Sequence, residues 1–390
     1  MSYINELQLS KDLISFPSIT PKDAGAIKFL SKKLKALGFK CTILEFKDKK
    51  SKPVKNLYAR LGTKQPNICY AGHTDVVPPG NYKDWTVNPF RPIVKNNFLI
   101  GRGANDMKSS IACFTAAVSK FIKNNPKFKG SLSFLITGDE EGIAINGTKK
   151  VVEYLKRKKE KINFCIVGEP TNPKKLGEMI KIGRRGSLSG TLEVSGVQGH
   201  VAYPHLSNNP INTLILICTK LKDMKLDRGN KDFQPSNLEI TSIDVDNKAH
   251  NVIPSIICAK FNIRYNNIHT SSSLKKKINN HIKGICGKKK CSYKIEYETN
   301  GDAFLTKPNS TIFMAKKIIK KITKINPKFS TTGGTSDARF IKNISPCLEF
   351  GLVNKTMHKI DECVSISDLT KLTKIYHDIL IGYFKWNYTK

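Results

Sequence analysis

Apolar residues recur along this chain with two alternating periods. After Asp23, positions Ala26, Ile27, Leu30, Leu34 and Leu37 follow helical spacing up to Gly38, which predicts a helix capped by Asp23 and running through Leu37. Strand-like runs follow at 41–46, 56–61 and Asn67–His73. A helix is expected over 108–121, a buried strand at Ser131–Thr137, a helix over 147–157 and a further strand at Phe164–Val167. Such alternation predicts an α/β fold, a mixed sheet flanked by helices. The middle of the chain reads differently. Strand 188–194, helix 210–221, strand 238–245, strand Ile256–Tyr265, helix 272–285 and strand 292–297 form the order βαββαβ, a ferredoxin-like α+β module. After residue 300 the alternation resumes, with 310–322 helical, 347–350 extended and 367–384 helical. The expected organisation is a discontinuous domain, residues 1–183 and 300–390, with an inserted module at 184–299. No internal repeat or low-complexity linker interrupts it.

Composition narrows the class. A chain of 390 residues exceeds one ordinary core, which agrees with two domains. With 39% apolar residues, 19 Phe and 12 Tyr, it can fill both cores. No apolar run approaches a membrane span. The segment Met1-Ser2-Tyr3-Ile4-Asn5-Glu6 does not read as a secretory signal, so a cytoplasmic location is expected. Ten cysteines lie scattered, most in apolar runs such as Phe164-Cys165-Ile166-Val167, as buried thiols in a reducing compartment would. Cys286 and Cys291 have only His281 nearby as a further ligand, too few for a zinc knuckle. The net charge of +35 raises the alternative of a basic binding protein. Against it, the lysines are spread everywhere, arginine is scarce, and no aromatic-studded basic stripe appears. No specific nucleic-acid or membrane partner is expected. The positive field suits an anionic small molecule.

Five short motifs carry candidate chemistry: Gly72-His73-Thr74-Asp75, Gly103-Ala104-Asn105-Asp106-Met107-Lys108, Gly138-Asp139-Glu140-Glu141-Gly142, Gly168-Glu169-Pro170-Thr171 and Met357-His358-Lys359. His73 falls at a strand end, where open α/β sheets place their ligand sites. Asp75 is two residues on, suited to accept the other ring N–H of His73; the alternative is a loop histidine beside a capping acid. Asp106 precedes a helix and could simply cap it. Glu140 and Glu141 leave a buried strand as neighbours, so they point different ways. Glu169 ends the next strand, where a lone buried acid is costly unless paired or metal-bound. His358 has only loop context, which also fits an exposed residue. Together these residues make up the inventory of a two-metal hydrolase.

These motifs resemble the di-zinc amidohydrolases of the aminoacylase and glutamate-carboxypeptidase superfamily over nearly the whole chain. The resemblance extends through Gly183-Arg184-Arg185-Gly186-Ser187-Leu188, Gly199-His200-Val201-Ala202-Tyr203-Pro204-His205, Asn251-Val252-Ile253-Pro254 and Gly333-Gly334-Thr335-Ser336-Asp337-Ala338-Arg339-Phe340. It implies a zinc-exopeptidase-like catalytic domain and a lid or dimerisation role for the inserted module. It further implies two zinc ions per subunit, with cobalt tolerated in one site: one on His73 and Glu169, one on Glu141 and His358, with Asp106 bridging. Two Zn²⁺ against these three carboxylates leave one positive charge, which a hydroxide would balance. Asp75 and Glu140 then take catalytic roles, Glu140 as general base, and His200 donates to the developing oxyanion across a homodimer interface.

The same resemblance makes Arg184, Arg185, Arg264 and Arg339 carboxylate-binding residues, and Ser187, Tyr203, Asn251, Gly334, Thr335 and Ser336 polar substrate contacts. The implied substrate is a small molecule with a dicarboxylic acyl group on a linear amide. The alternative is a deacylase for acetylated amino acids. Asn105 and Ser109 depart from the family pattern, which more often has a small residue and Gly there; Asn105 could cap the helix or add a hydrogen bond near the metals.

Overall fold

A computed structural model describes residues 3–49 and 51–386. Two compact units divide the chain. The larger comprises Met1–Ile182, Thr306–Ser330 and Ser336–Lys390. Its centre is an eight-stranded mixed sheet in the order Lys40–Phe46, Val54–Leu61, Ser131–Thr137, Asn67–His73, Phe164–Val167, Cys347–Glu349, Met179–Lys181, Lys328–Ser330. The four strands from Ser131–Thr137 to Cys347–Glu349 run parallel, and antiparallel partners lie on both sides. Asn67–His73 and Ser131–Thr137 are buried at every position, which is why both read as unbroken runs rather than alternating ones. Tyr70 stacks on Phe114 at 4.3 Å between ring centroids and meets Tyr376 edge-on. That cluster ties the sheet to the helices Lys108–Asn124 and Ile366–Trp386.

Several features here depart from the sequence expectation, among them the short sheet strands Met179–Lys181 and Lys328–Ser330, which were not expected. The first predicted helix begins at Ala26, with Gly25 at φ 98° rather than Asp23 in the cap position. The Asp23 carboxylate still accepts the backbone N–H groups of Gly25 and Ile27, so it serves the helix start from outside. A helix at Glu6–Ile14, capped by Asn5, was not anticipated. Nor was the small sheet in which Phe98–Ile100 joins Ile93–Lys95 to Cys363–Ser365. These strands are three residues each, too short to show a period.

The smaller unit comprises Gly183–Leu305 and Thr331–Thr335. Its antiparallel sheet has the order Asn237–Asp244, Ile256–Tyr265, Gly186–Ser195, Ser292–Thr299, with helices Pro210–Lys222 and Ser271–Lys289. The first strand in sequence is thus central, beside the third and the fourth, as in a ferredoxin-like βαββαβ arrangement. Leu188, Leu192, Leu214, Ile217, Phe261 and Ile278 build its core. The expected boundaries, 184–299, are too narrow. Phe304–Leu305 pairs with Gly183–Arg184, and Arg184 Nη1 donates to the Gly334 carbonyl at 3.1 Å, so Thr331–Thr335 also belongs to this unit. Two-residue strands and a returning loop leave no periodic trace in the sequence.

Candidate metal centre

His73, Glu140, Glu141 and Glu169 all lie at or just beyond the carboxyl ends of parallel strands of the larger unit. Asp106 comes from the loop before helix Lys108–Asn124, and His358 from the loop before Cys363–Ser365. His73 Nε2 lies 3.1 Å from Asp106 Oδ1 and 3.8 Å from Glu169 Oε1. His358 Nε2 lies 2.9 Å from Glu141 Oε1 and 3.3 Å from Asp106 Oδ2. The two oxygens of Asp106 therefore face two different imidazoles. Ligand atoms of His73, Asp106 and Glu141 lie within 4.8 Å of one another, and so do those of His73, Glu140 and Glu169.

Local structure explains these placements. His73 Nδ1 is 2.9 Å from the backbone carbonyl of Asp75, which can only accept, so Nδ1 carries the proton and Nε2 is turned to the acids. This corrects the expectation that the Asp75 carboxylate takes that proton, since its Oδ1 is 3.7 Å away. The carboxylate instead accepts the backbone N–H of Glu140 at 3.1 Å and of Glu141 at 3.0 Å, clamping the loop that presents both. Asp106 is not the helix cap. Met107 occupies the cap position with no side-chain bond, leaving the Asp106 carboxylate to the histidines. Gly168 has to be glycine: a Cβ there would lie 1.9 Å from the Tyr70 hydroxyl, and that approach sets where Glu169 leaves its strand. Asn105 is not the helix cap; its amide donates to the Val353 carbonyl.

Electrostatics mark the cluster as a cation site. Burial opposes a charged His73, but its bond to Asp106 and the nearby Glu169 carboxylate outweigh burial and raise its pKa well above the usual imidazole value. Bonds to Asp106 and Glu141 push His358 up to about 10. Burial would raise Asp106, yet its bonds from His358 and His73 hold it below the usual carboxylate range. Burial, then Glu169, lifts Glu140 well above that range, and burial lifts Glu141. Four carboxylates converging on two imidazoles in a largely buried site need positive charge. Nitrogen and oxygen donors in this grouping fit borderline divalent cations such as zinc.

The remaining predicted residues fall into separate groups. In the smaller unit, Arg184 and Gly334 are joined directly, with Thr335 adjoining. Arg264 lies between Ser187 and Asn237 across the sheet, and Arg185 Nη1 donates to Asn237 Oδ1 at 2.9 Å. Ser187 is buried and its Oγ accepts from Asn262. His200, Tyr203 and Asn251 are exposed near one another: the rings of His200 and Tyr203 are 5.8 Å apart, and the Asn251 carbonyl accepts from Val201 N–H. In the larger unit, Ser336 is buried and donates to Glu349 Oε1 at 2.7 Å. Arg339 is only 8% exposed, near Asp337, a carboxyl that burial pushes up to about 6 despite that arginine. The ten cysteines are free thiols, five buried and five partly so.

Sequence reasoning missed Glu362. This fully buried acid accepts the backbone N–H groups of Gly103, Asn105 and Asp106 and pairs with Arg102 at 2.8 Å. The available signal was Arg102 itself, an arginine inside a glycine-flanked motif of a lysine-rich chain. Buried Lys108 went unremarked too. Its Nζ donates to the Phe16 carbonyl at 2.7 Å, and burial lowers it to about 7 against the pull of Glu362.

Comparison with known proteins places this geometry. Over 384 residues the chain is 66% identical to the succinyl-diaminopimelate desuccinylase of Pelagibacter ubique (strain HTCC1062), covering 98% of this chain and 100% of that one. Its fold matches the M20 family metallo-carboxypeptidase Sso-CP2 from Sulfolobus solfataricus, with a TM-score of 0.80 at 19% identity over 98% and 100% of the two chains. It also matches the Bacillus subtilis YXEP protein, a dinuclear metal binding peptidase, with a TM-score of 0.71 at 14% identity over 97% and 98%. Residues 69–381 match a single family, and that span takes in every imidazole and carboxylate of the cluster. The protein is a metal-dependent amidohydrolase. With the match running from the His73 strand to the last helix, the chain belongs to peptidase family M20/M25/M40.

Proposed function

We propose that this chain hydrolyses N-succinyl-LL-2,6-diaminopimelate to succinate and LL-2,6-diaminopimelate, a step toward lysine and cell-wall precursors. The observation that carries the reading is the shared Asp106 carboxylate between two imidazoles, in a chain 66% identical to a protein named for that reaction. His73, Asp106 and Glu169 would hold one zinc ion, and Asp106, Glu141 and His358 a second, with cobalt an acceptable substitute in one. When bound, such cations polarise an amide carbonyl and acidify water.

Glu140 is the general base of this reading. A carboxyl raised by burial and by Glu169 is matched to taking a proton from water and handing it to the departing amine nitrogen. Asp75 fixes Glu140 and Glu141 through their backbone amides and orients His73 through its carbonyl. His200 is the proposed donor to the developing oxyanion. Arg184, Arg185 and Arg264 supply forked donors for the substrate carboxylates, and Tyr203, Asn251, Gly334 and Thr335 the neutral contacts. Ser187, Ser336 and Arg339, all buried, complete the substrate contacts of this reading.

A homodimer is part of the reading. In the smaller unit, Asn237–Asp244 is an edge strand, and Ile215, Leu216 and Ile243 expose apolar surface. No described helix is long and apolar enough to cross a membrane, and a cytoplasmic location completes the proposal.

The test is side-by-side turnover of N-succinyl-LL-2,6-diaminopimelate and N-acetylornithine by zinc-loaded protein and by Glu140→Ala. Turnover of the succinylated substrate by wild type alone is the expected result. Preference for the acetylated substrate would reassign the chain to a related deacylase. Equal behaviour of wild type and Glu140→Ala would end the reading.

A further inference from the structure

The metal centre is assembled from two loops far apart in sequence, and one buried ion pair joins them. The first loop, residues 101–107, carries Asp106. The second, residues 356–363, carries His358 and is closed on itself by Thr356, whose Oγ1 donates to the Cys363 carbonyl at 2.8 Å and accepts its N–H at 3.1 Å. His358 stands on this loop at φ 61°, a left-handed conformation unusual for a non-glycine residue, with its side chain 43% exposed. Packing alone does not hold such a residue.

Beside the backbone pairing of Phe98–Ile100 with Cys363–Ser365 and the Gly101 N–H on the Glu362 carbonyl, the side-chain join is Glu362 with Arg102. One Glu362 oxygen accepts the N–H of Asn105 at 2.7 Å and of Asp106 at 2.9 Å; the other accepts the N–H of Gly103 at 3.0 Å and Arg102 Nη1 at 2.8 Å. Arg102 Nη1 also donates to the Lys359 carbonyl at 3.2 Å, next to His358. The guanidinium lies 5.2 Å from the Trp85 ring, whose indole N–H is fixed on the Pro79 carbonyl. Glu362 therefore reaches from the His358 loop to the backbone of Asp106, and Arg102 reaches back from the Asp106 loop to the backbone beside His358.

A buried ion pair is a weak source of stability, because desolvating both ions offsets most of their attraction. What it supplies is fixed geometry. Being internally neutral, the pair also leaves the charge of the imidazole–carboxylate cluster unchanged. We propose that Glu362, with Arg102, is a positioning residue that sets the distance between Asp106 and His358 and so creates the metal subsite they share with Glu141. His73 and Glu169 sit at strand ends and depend on it less. The inference rests on the metal-centre reading above.

The experiment is zinc binding by chelator competition, with kcat and KM, on full-length wild type, Glu362→Gln, Arg102→Lys and Glu160→Gln. Glu160 pairs with Arg60 elsewhere in the larger unit and controls for general loss of stability. Glu362→Gln keeps the side-chain shape and a carbonyl acceptor, and the thermal midpoint of each variant checks that it folds. The expected result is one tight zinc retained and one weakened about 10- to 100-fold in Glu362→Gln and Arg102→Lys. Their kcat should fall at unchanged KM and recover with excess zinc, while Glu160→Gln binds both ions normally. Wild-type affinity for both ions in the two site variants overturns the proposal, and so does equal weakening of both. A wild type that binds no zinc overturns the metal-centre reading itself.

Discussion

The two compact units bury charge to very different degrees. In the larger one, His73, Asp75, Asp106, Lys108, Glu169 and Glu362 are all buried, clustered where strands and loops meet. In the smaller one the core is apolar throughout, from Leu188 to Ile278; of the polar residues with assigned roles there, Arg184 and Ser187 are buried and the others are partly or fully exposed. Burying an ion costs several kcal/mol unless it is compensated. The larger unit accepts that cost repeatedly in one place, where opposite charges and backbone amides converge. The smaller unit shows what an ordinary fold of the same chain looks like. Most of its charges stay in solvent; Arg184 is buried, and the Asp227 side chain is nearly so, paired with His269 at 3.1 Å. Buried charge, rather than net charge, is thus the better pointer to function in a chain whose lysines are everywhere.

That contrast can be broken experimentally. The largest effect should come from Glu140→Gln, which removes the base and leaves every metal donor in place. Its kcat is expected to fall about 10²- to 10⁴-fold, with zinc binding intact; loss of zinc would instead make Glu140 a ligand. Next, Phe261→Ala in the smaller core should cost about 3–5 kcal/mol of stability in denaturant titration. The zinc affinity of the surviving folded protein should not change, and a matching loss of zinc would deny the separation of roles. The smallest effect is on pH. His358 has a pKa raised to about 10, above its ordinary value near ~6.5, so at neutral pH a proton occupies the nitrogen a metal needs. Zinc affinity should therefore rise with pH, by about tenfold per unit for each proton displaced between pH 6 and 8. His358→Ala should flatten that slope, and an unchanged slope would show that His358 is no ligand.

The residues differ in how far the sequence exposed them. His73 and Glu169 were legible because strands buried on both faces announce themselves as apolar runs, and a polar residue ending such a run stands out. Asp106 was ambiguous, since acid-before-helix is equally the pattern of a cap; only its distances to His73 and His358 resolve it. Glu362 was invisible because its partners lie more than 250 residues away and three of them are backbone amides, which carry no side-chain signature. The return of Thr331–Thr335 to the smaller unit was hidden for a similar reason, being one short loop held by Arg184 on the Gly334 carbonyl and by Thr331 Oγ1, which donates to the Asp232 carbonyl.

Periodicity and punctuation in the sequence thus determined the alternating α/β sheet, the inserted βαββαβ order and the residue types able to bind metal. These are local properties, set by which side chains can line a strand or a helix face. The tertiary structure alone decided which acid faces which imidazole, which carboxylate orients a loop instead of touching metal, and which buried pair ties the two loops together. Those outcomes depend on distances of a few ångströms between segments hundreds of residues apart, and spacing along a chain cannot encode them.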